Sequence, residues 1–192
     1  MKAICLRAEY LDRPIGLDIT KPRFFWNCEG GVKQTAYQIV VKKEGGEILW
    51  DTGKVFSERM THIRYEGKPM QSRDRVEWSV KLWDENGIEG EWSTSWFEMG
   101  LLKSEDWKAK WISGDYTPKK NTRYPVDCFK KEFTVPKKVK KARLYITACG
   151  LYQAKLNGNK VGKFCLAPGF TDYRHRLQYQ TYDVTELLKE GI

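Results

Sequence analysis

The sequence predicts an all-β protein built from two β-sandwich domains. Aromatic residues make up 14% of its 192 residues, apolar residues recur at alternate positions, and Gly-rich or Asn-Gly turns separate the alternating runs. Aromatic and β-branched residues favour strands, and a period of two places alternate side chains on the same face of a sheet. A chain of this length can bury two small hydrophobic cores.

The first hundred residues contain the clearest strands. In two segments, apolar residues alternate with polar residues such as Gln38 and Ser79. A Gly45-Gly46 turn follows the first segment, and residues 84–87 end the second with side chains that tolerate positive φ. Short strands at this spacing favour a fibronectin type III-like or immunoglobulin-like sandwich. We predict that its core contains Tyr37, Ile39, Val41, Trp78, Val80 and Leu82.

Residues 91–96 read EWSTSW, similar to the tryptophan-serine box of cytokine-receptor fibronectin domains. We interpret this segment as a structural brace in which Trp rings stack on Arg64, Arg73 or Arg75 through burial and cation–π contact. A receptor would need a secretory signal and paired cysteines, and the sequence indicates neither.

The pattern predicts a first domain over residues 1–102, a linker over 103–127 and a second sandwich over 128–192. In the linker, Ser104 is placed to cap a single helical turn. The second sandwich is predicted to begin with a strand near 128–133, followed by a strand at 142–148 with its apolar residues on one face. Asn157-Gly158 predicts a type I′ hairpin. Asp183 or Thr185 is placed to cap a short helical turn.

The net charge of +9 comes almost entirely from the second half of the chain. A cationic cluster there has two interpretations. It attracts an acidic polymer, or it keeps an exposed strand and turn soluble. Its members are Lys130, Lys131, Lys137, Lys138, Lys140, Lys141 and Arg143.

The five cysteines are odd in number and widely spaced, so neither a complete disulfide framework nor a zinc site is indicated. We expect reduced, mostly buried thiols and a cytoplasmic location, since the N-terminus does not resemble a secretory signal. No segment approaches the roughly 18 apolar residues of a membrane span.

The sequence predicts no metal, no cofactor and no nucleic-acid partner. His62 and His175 are isolated and lack the spacing of paired ligands. Residues 158–162 follow a hairpin turn and lack the phosphate-loop pattern. Asn157, Asn159 and Asp172 offer oxygen atoms that suit calcium, but turn formation explains all three. No nucleic-acid-binding motif accompanies the lysines.

Four segments carry a family resemblance: LRAEYLDRPIGLDITKPRFFW, QTAYQIVV, ILWDTGKV, and residues 150–188 with their hairpin, Pro-Gly corner and cap. In order and spacing they resemble the non-catalytic N-terminal region of bacterial α-L-rhamnosidases of glycoside hydrolase family 78. The resemblance implies that the full-length protein hydrolyses terminal α-L-rhamnosyl residues by an inverting mechanism. It also implies that the catalytic carboxylates lie downstream, in an (α/α)6 barrel, so that none is assigned here.

The same resemblance implies a jelly-roll-like, carbohydrate-binding-type second sandwich that is incomplete at its C-terminus. This region would scaffold the downstream catalytic domain, its partner in the same chain, and the fragment itself would be inactive. The expected substrate is a rhamnose-containing glycoside or polysaccharide. The competing hypothesis is a stand-alone carbohydrate-binding or adhesion module for acidic polysaccharide.

Sugar recognition combines aromatic faces with carboxylate, amide and guanidinium groups that bond hydroxyls. Around the predicted turns of the second sandwich, we take as candidate carbohydrate-binding residues Tyr152, Asn157, Asp172, Tyr173 and Arg176, with Phe170 beside them. In the alternative interpretation, Phe170 and Tyr173 brace the Pro168-Gly169 corner and Arg176 pairs with Asp172.

Overall fold

A computed structural model describes residues 1–117 and 119–189, and the prediction of an all-β protein is confirmed. Within these residues, helical structure is limited to 3₁₀ turns at Ser104–Asp106 and Thr185–Leu187. The strands are β1 (Lys2–Ala8), β2 (Ile15–Leu17), β3 (Arg23–Glu29), β4 (Ala36–Lys43), β5 (Ile48–Asp51), β6 (Val55–Phe56), β7 (Ile63–Arg64), β8 (Arg75–Trp83), β9 (Ser93–Met99), β10 (Arg143–Ile146), β11 (Lys155–Leu156), β12 (Asn159–Lys160) and β13 (Gln180–Asp183).

The chain forms two compact units, Met1–Trp107 and Lys108–Ile192. The first unit is a sandwich of two sheets. One sheet has the order β1-β3-β7, and the other has the order β2-β9-β8-β4-β5, with β6 added beside β4. Neighbouring strands are antiparallel, except that β2 runs parallel to β9. An immunoglobulin-like sandwich has this two-sheet architecture.

The core of the first unit lies between these sheets. All six predicted core residues are buried, which confirms that prediction. The opposite sheet supplies Phe24, whose ring centroid lies 4.5 Å from that of Trp78. Burial of each such side chain contributes about 1.5–3 kcal/mol.

One buried polar side chain connects this core to a loop. Gln34 accepts a hydrogen bond from the Trp26 indole at 2.9 Å. Its amide nitrogen donates to the carbonyl oxygens of Ser57 and Arg59. Because these bonds satisfy the amide, its burial fixes the loop at low energetic cost.

The predicted Trp brace is present and is formed by Arg75. The guanidinium of Arg75 lies 3.7 Å from the Trp96 ring centroid. Arg73 instead donates to the carbonyl oxygen of Asp106, and Arg64 lies in β7 opposite Arg23 of β3. Strand register explains this contact, because Arg75 lies two residues along β8 from Glu77, the partner of Trp96 on β9, and such diagonal neighbours lie within reach.

The second unit contains the pairs β10-β13 and β11-β12. Its small core is built on Val161, Tyr182 and Val184. The predicted hairpin at 157–158 is confirmed, since Asn157 and Gly158 have φ values of 50° and 80° and connect β11 to β12. The Asp183 carboxylate accepts hydrogen bonds from the amide and hydroxyl of Thr185. The residue at the cap of this turn is Val184, without a side-chain bond, so the predicted cap by Asp183 or Thr185 is wrong.

Two further expectations, one about a strand and one about the thiols, are wrong. Residues 128–133 have no strand pairing among the described residues, and Phe129 and Phe133 are exposed. In β10, by contrast, Leu144 and Ile146 pack against the small core of this unit, so the predicted apolar face of the strand is confirmed. The five thiols are free, as expected, but they are not buried. Cys5, Cys128, Cys149 and Cys165 are exposed and Cys28 is half-buried.

The basic cluster is partly ion-paired. Arg143 lies 2.9 Å from Asp183, and Lys130 lies 2.6 Å from Glu132. Among the described residues, no helix is long and apolar enough to cross a membrane.

Candidate functional site

Residues 171–176 form a closed turn in the second unit. The amides of His175 and Arg176 both donate to the carbonyl oxygen of Asp172 at 2.9 Å. The Thr171 hydroxyl donates to the carbonyl oxygen of Arg176 at 2.6 Å. These bonds within the turn hold the side chains of its polar residues at defined positions, which a sugar site requires.

The Asp172 carboxylate pairs with Arg174, and not with Arg176 as the bracing interpretation predicted. It accepts bonds from Nη2, Nε and the amide of Arg174 at 2.7, 3.0 and 3.1 Å. These bonds hold the pKa of Asp172 below its usual range. Both side chains are solvent-exposed, so the carboxylate is ionised and accessible.

Two aromatic rings accompany this carboxylate. Tyr173 accepts a hydrogen bond from the Gly150 amide at 2.9 Å, and its ring centroid lies 6.0 Å from that of Phe170. Phe170 is 90% exposed and Tyr173 37% exposed. The loop therefore presents aromatic surface beside an ionised carboxylate.

Tyr152 and Asn157 use their polar groups inside the unit. The Tyr152 hydroxyl bonds to Gln180 at 3.0 Å and Tyr182 at 3.2 Å, and burial raises its pKa. The Asn157 amide nitrogen donates to the carbonyl oxygen of Leu187 at 2.9 Å. The structure thus brings together Asp172, Tyr173 and Arg176 on one turn, and it occupies the polar groups of Tyr152 and Asn157 elsewhere.

The three residues considered as calcium ligands take part in turns. The Asn159 amide donates to the Asn157 carbonyl oxygen at 3.3 Å, while the Asp172 carboxylate is engaged by Arg174. In the part of the chain that the structure describes, no group of three His, Cys, Asp or Glu side chains is placed to hold a metal ion.

The first unit contains a cleft that the sequence did not reveal. It has a volume of about 540 Å³ and is lined by residues of β1, the following loop and the start of β9, including Lys2, Arg7, Arg13 and Trp92. No motif indicated it, because the three cations are scattered through ordinary strand and loop sequence. These three side chains come to line one cavity only when the strands pair in the folded domain.

Comparison with known protein families gives two matches. Residues 4–103 match the family described as "Rha78A-like, N-terminal immunoglobulin domain". Residues 137–192 match the family described as "Alpha-L-rhamnosidase N-terminal domain". The first match alone covers more than half of the chain.

Individual relatives agree with these families. The chain is 38% identical over 199 residues to an α-L-rhamnosidase of Formosa agariphila, covering 96% of the chain and 22% of the relative. It is 38% identical over 191 residues to one from Alteromonas sp. strain LOR, covering 91% and 21%. A solved α-L-rhamnosidase from Dictyoglumus thermophilum matches at 34% identity with a TM-score of 0.86, covering 100% of this chain and 24% of that one. The chain therefore spans less than a quarter of the length of these relatives.

Proposed function

The chain belongs to the α-L-rhamnosidase family, and we propose that it is the non-catalytic N-terminal scaffold of an enzyme that hydrolyses terminal α-L-rhamnosyl residues. Catalysis by an inverting pair of carboxylates would take place in a downstream (α/α)6 barrel. The observation that carries the proposal is the match of the whole chain, at a TM-score of 0.86, to 24% of a solved α-L-rhamnosidase.

The scaffold role is supported by the exposed apolar surface of the second unit. Many large apolar side chains of this unit are exposed, and a surface that covers them would remove this apolar area from water. The whole protein would supply that cover, through contacts with the catalytic domain and the rest of the second sandwich. The residues concerned are Trp111, Ile112, Val126, Phe129, Phe133, Leu151, Phe164 and Leu166.

A contribution to sugar binding is a second part of the proposal. The turn at 171–176 supplies Asp172 as a hydroxyl acceptor and Tyr173, beside Phe170, as an aromatic face. Arg176 lies on the same turn with an exposed side chain and would act as a donor. The sugar would be a rhamnosyl unit of the glycoside or polysaccharide.

A cytoplasmic location completes the proposal. Four exposed, free thiols support it, because a reducing compartment keeps such thiols from forming disulfides.

Hydrolysis of an aryl α-L-rhamnoside tests the assignment of catalysis. Purified residues 1–192 should release no aryl alcohol above the uncatalysed rate, whereas the full-length protein should turn the substrate over. The reason is that two carboxylates at a defined separation are required for the reaction, and we place both downstream. Turnover by residues 1–192 that is abolished by replacing one of their own acidic residues would contradict the proposal.

A further inference from the structure

The cleft in the first unit lies between β1, an edge strand of one sheet, and the segment that leads into β9 of the other sheet. Strand β1, at the edge of its sheet, contributes Lys2, Cys5 and Arg7, and the loop after it contributes Arg13. The opposite wall is formed by Trp92 and the first residues of β9. A volume of about 540 Å³ is that of a site for a small ligand.

A β-bulge shapes the β1 wall. The register advances by three residues on β1, from Ile4 to Arg7, but by only two on β3, from Asn27 to Phe25. Cys5 takes a φ of 53°, in the left-handed region. Bulges redirect side chains at sheet edges, and this one leaves Cys5 and Arg7 exposed in the cleft.

Close backbone packing fixes the end of the cleft. A Cβ atom at Gly90 would lie 1.8 Å from the carbonyl oxygen of Met1, so only glycine permits this approach. Lys2 also lies 3.8 Å from the carboxylate of Glu91. The Gly90–Met1 contact joins the start of β1 to the segment that carries Trp92 and holds the two walls together, whereas the exposed Lys2–Glu91 pair adds little.

The cleft keeps an excess of positive charge, although Lys2 lies near Glu91 and Arg13 near Asp12. Three cationic side chains line it, with Asp12 as the carboxylate. Among the described residues, Arg7 has no ion-pair partner, and Arg13 approaches Asp12 only at 3.9 Å, with both side chains exposed. Exposed pairs at this distance hold each other weakly. The guanidinium groups therefore remain free to bind an anion.

Trp92 adds an aromatic wall that is already positioned. Its side chain is 42% exposed, and the Lys81 ammonium lies 5.1 Å from its ring centroid. Ser93 follows Trp92 in the chain, and its buried hydroxyl oxygen has no hydrogen-bond partner within the described structure. The exposed Thr94 hydroxyl is shared with Ser79 at 2.8 Å. An aromatic face, hydroxyls and unpaired guanidinium groups together suit a sugar that carries an acid group.

We propose that this cleft binds a uronic acid unit of an oligosaccharide. Arg7 and Arg13 would bond the carboxylate, and Trp92 would pack against the C–H face of the sugar ring. This function goes beyond the scaffold role and beyond the neutral rhamnosyl unit assigned to the second unit. Binding in this cleft does not require hydrolysis, so the binding experiment tests this proposal separately from the proposed function.

Calorimetric titration of residues 1–192 tests the site. The probes are tetragalacturonate, a glucuronate-containing tetrasaccharide, and the methyl ester of tetragalacturonate as a neutral control. We expect at least one acidic probe to bind. The methyl ester should bind about tenfold more weakly than tetragalacturonate, because it lacks the carboxylate charge. The affinity for the acidic probe should fall with added salt.

Single variants locate the binding. Arg7→Gln should weaken affinity for the acidic probe about fivefold, and Trp92→Ala about tenfold. Lys21→Gln, which removes an exposed cation of the same unit outside the cleft, should leave affinity unchanged. Thermal melts of each variant show whether the fold is kept.

The proposal is overturned if neither acidic probe binds, or if tetragalacturonate and its ester bind equally. Unchanged affinity in a folded Arg7→Gln variant would overturn it as well.

Discussion

Asp172 and Tyr173 carry the rhamnosyl-binding part of the proposal, and each has a competing structural role. If they contact the sugar, Asp172→Ala and Tyr173→Ala should each weaken rhamnose binding about tenfold, because they remove a charged hydroxyl acceptor and an aromatic face. Calorimetric titration of residues 1–192 with rhamnose measures this. Asp18→Ala, an exposed carboxylate of the first unit, is the matched control.

Bracing of the turn predicts the opposite pattern. Losing the Asp172–Arg174 bonds or the Gly150–Tyr173 bond would then lower the melting temperature while rhamnose affinity stays the same. That result would reject both residues as sugar contacts.

At the residue scale, burial in the core of the first unit was predictable, whereas the ion pair of Asp172 was not. The six core residues of the first unit follow from alternation, because a period of two fixes which side chains face the other sheet. The partner of Asp172 did not follow, since Arg174 and Arg176 are both within reach along the sequence and the fold of the turn selects between them. The sequence also did not predict that Lys2, Arg7 and Arg13 line one cleft, because only the pairing of the strands brings them together.

At the scale of elements, the Glu9–Arg23 pair fastens the end of β1 to β3. The carboxylate of Glu9 accepts bonds from the amide, Nε and Nη2 of Arg23 at 2.7, 3.1 and 2.6 Å. The Arg23 side chain, bonded to Glu9, holds the pKa of that carboxyl below its usual range. A lowered folded-state pKa means that the ionised pair stabilises the fold above the unfolded-state pKa, near 4.5.

Replacing Glu9 by Gln should therefore lower the melting temperature at neutral pH, by about 4 °C. The stability that the carboxylate provides is lost as the pH falls through its folded-state pKa, so the difference from wild type should shrink in acid. Melting curves recorded across this range measure the effect. Glu29→Gln, an exposed carboxylate at the end of β3, should show no such dependence. A Glu9→Gln deficit that is equally large in acid would contradict this explanation.

Elements defined by local chemistry were predictable, and those that need distant partners were not. Asn157-Gly158 specifies its hairpin locally, because both residues accept positive φ. Residues 128–133 have an equally strand-like composition, but a strand exists only when another strand pairs with it, and the described residues supply none. The bulge in β1 leaves no local signal either, since Cys5 is not a residue that favours its φ of 53°.

At the scale of the whole molecule, the two units are interpreted as support for a catalytic domain. The apolar surface of the second unit is the part we expect that domain to cover. Association of this kind buries apolar area on both partners, so each should be less stable without the other. The scaffold role therefore predicts a mutual dependence of stability, in addition to an inactive fragment.

The most direct measurement compares the full-length protein with a version that lacks residues 1–192. Thermal melts and aryl rhamnoside hydrolysis are recorded for both. If these residues are a scaffold, their removal should lower the melting temperature of the catalytic domain and reduce its kcat/KM, because its covered apolar surface becomes exposed to water. A truncated protein with the melting temperature and kcat/KM of the full-length enzyme would contradict the account.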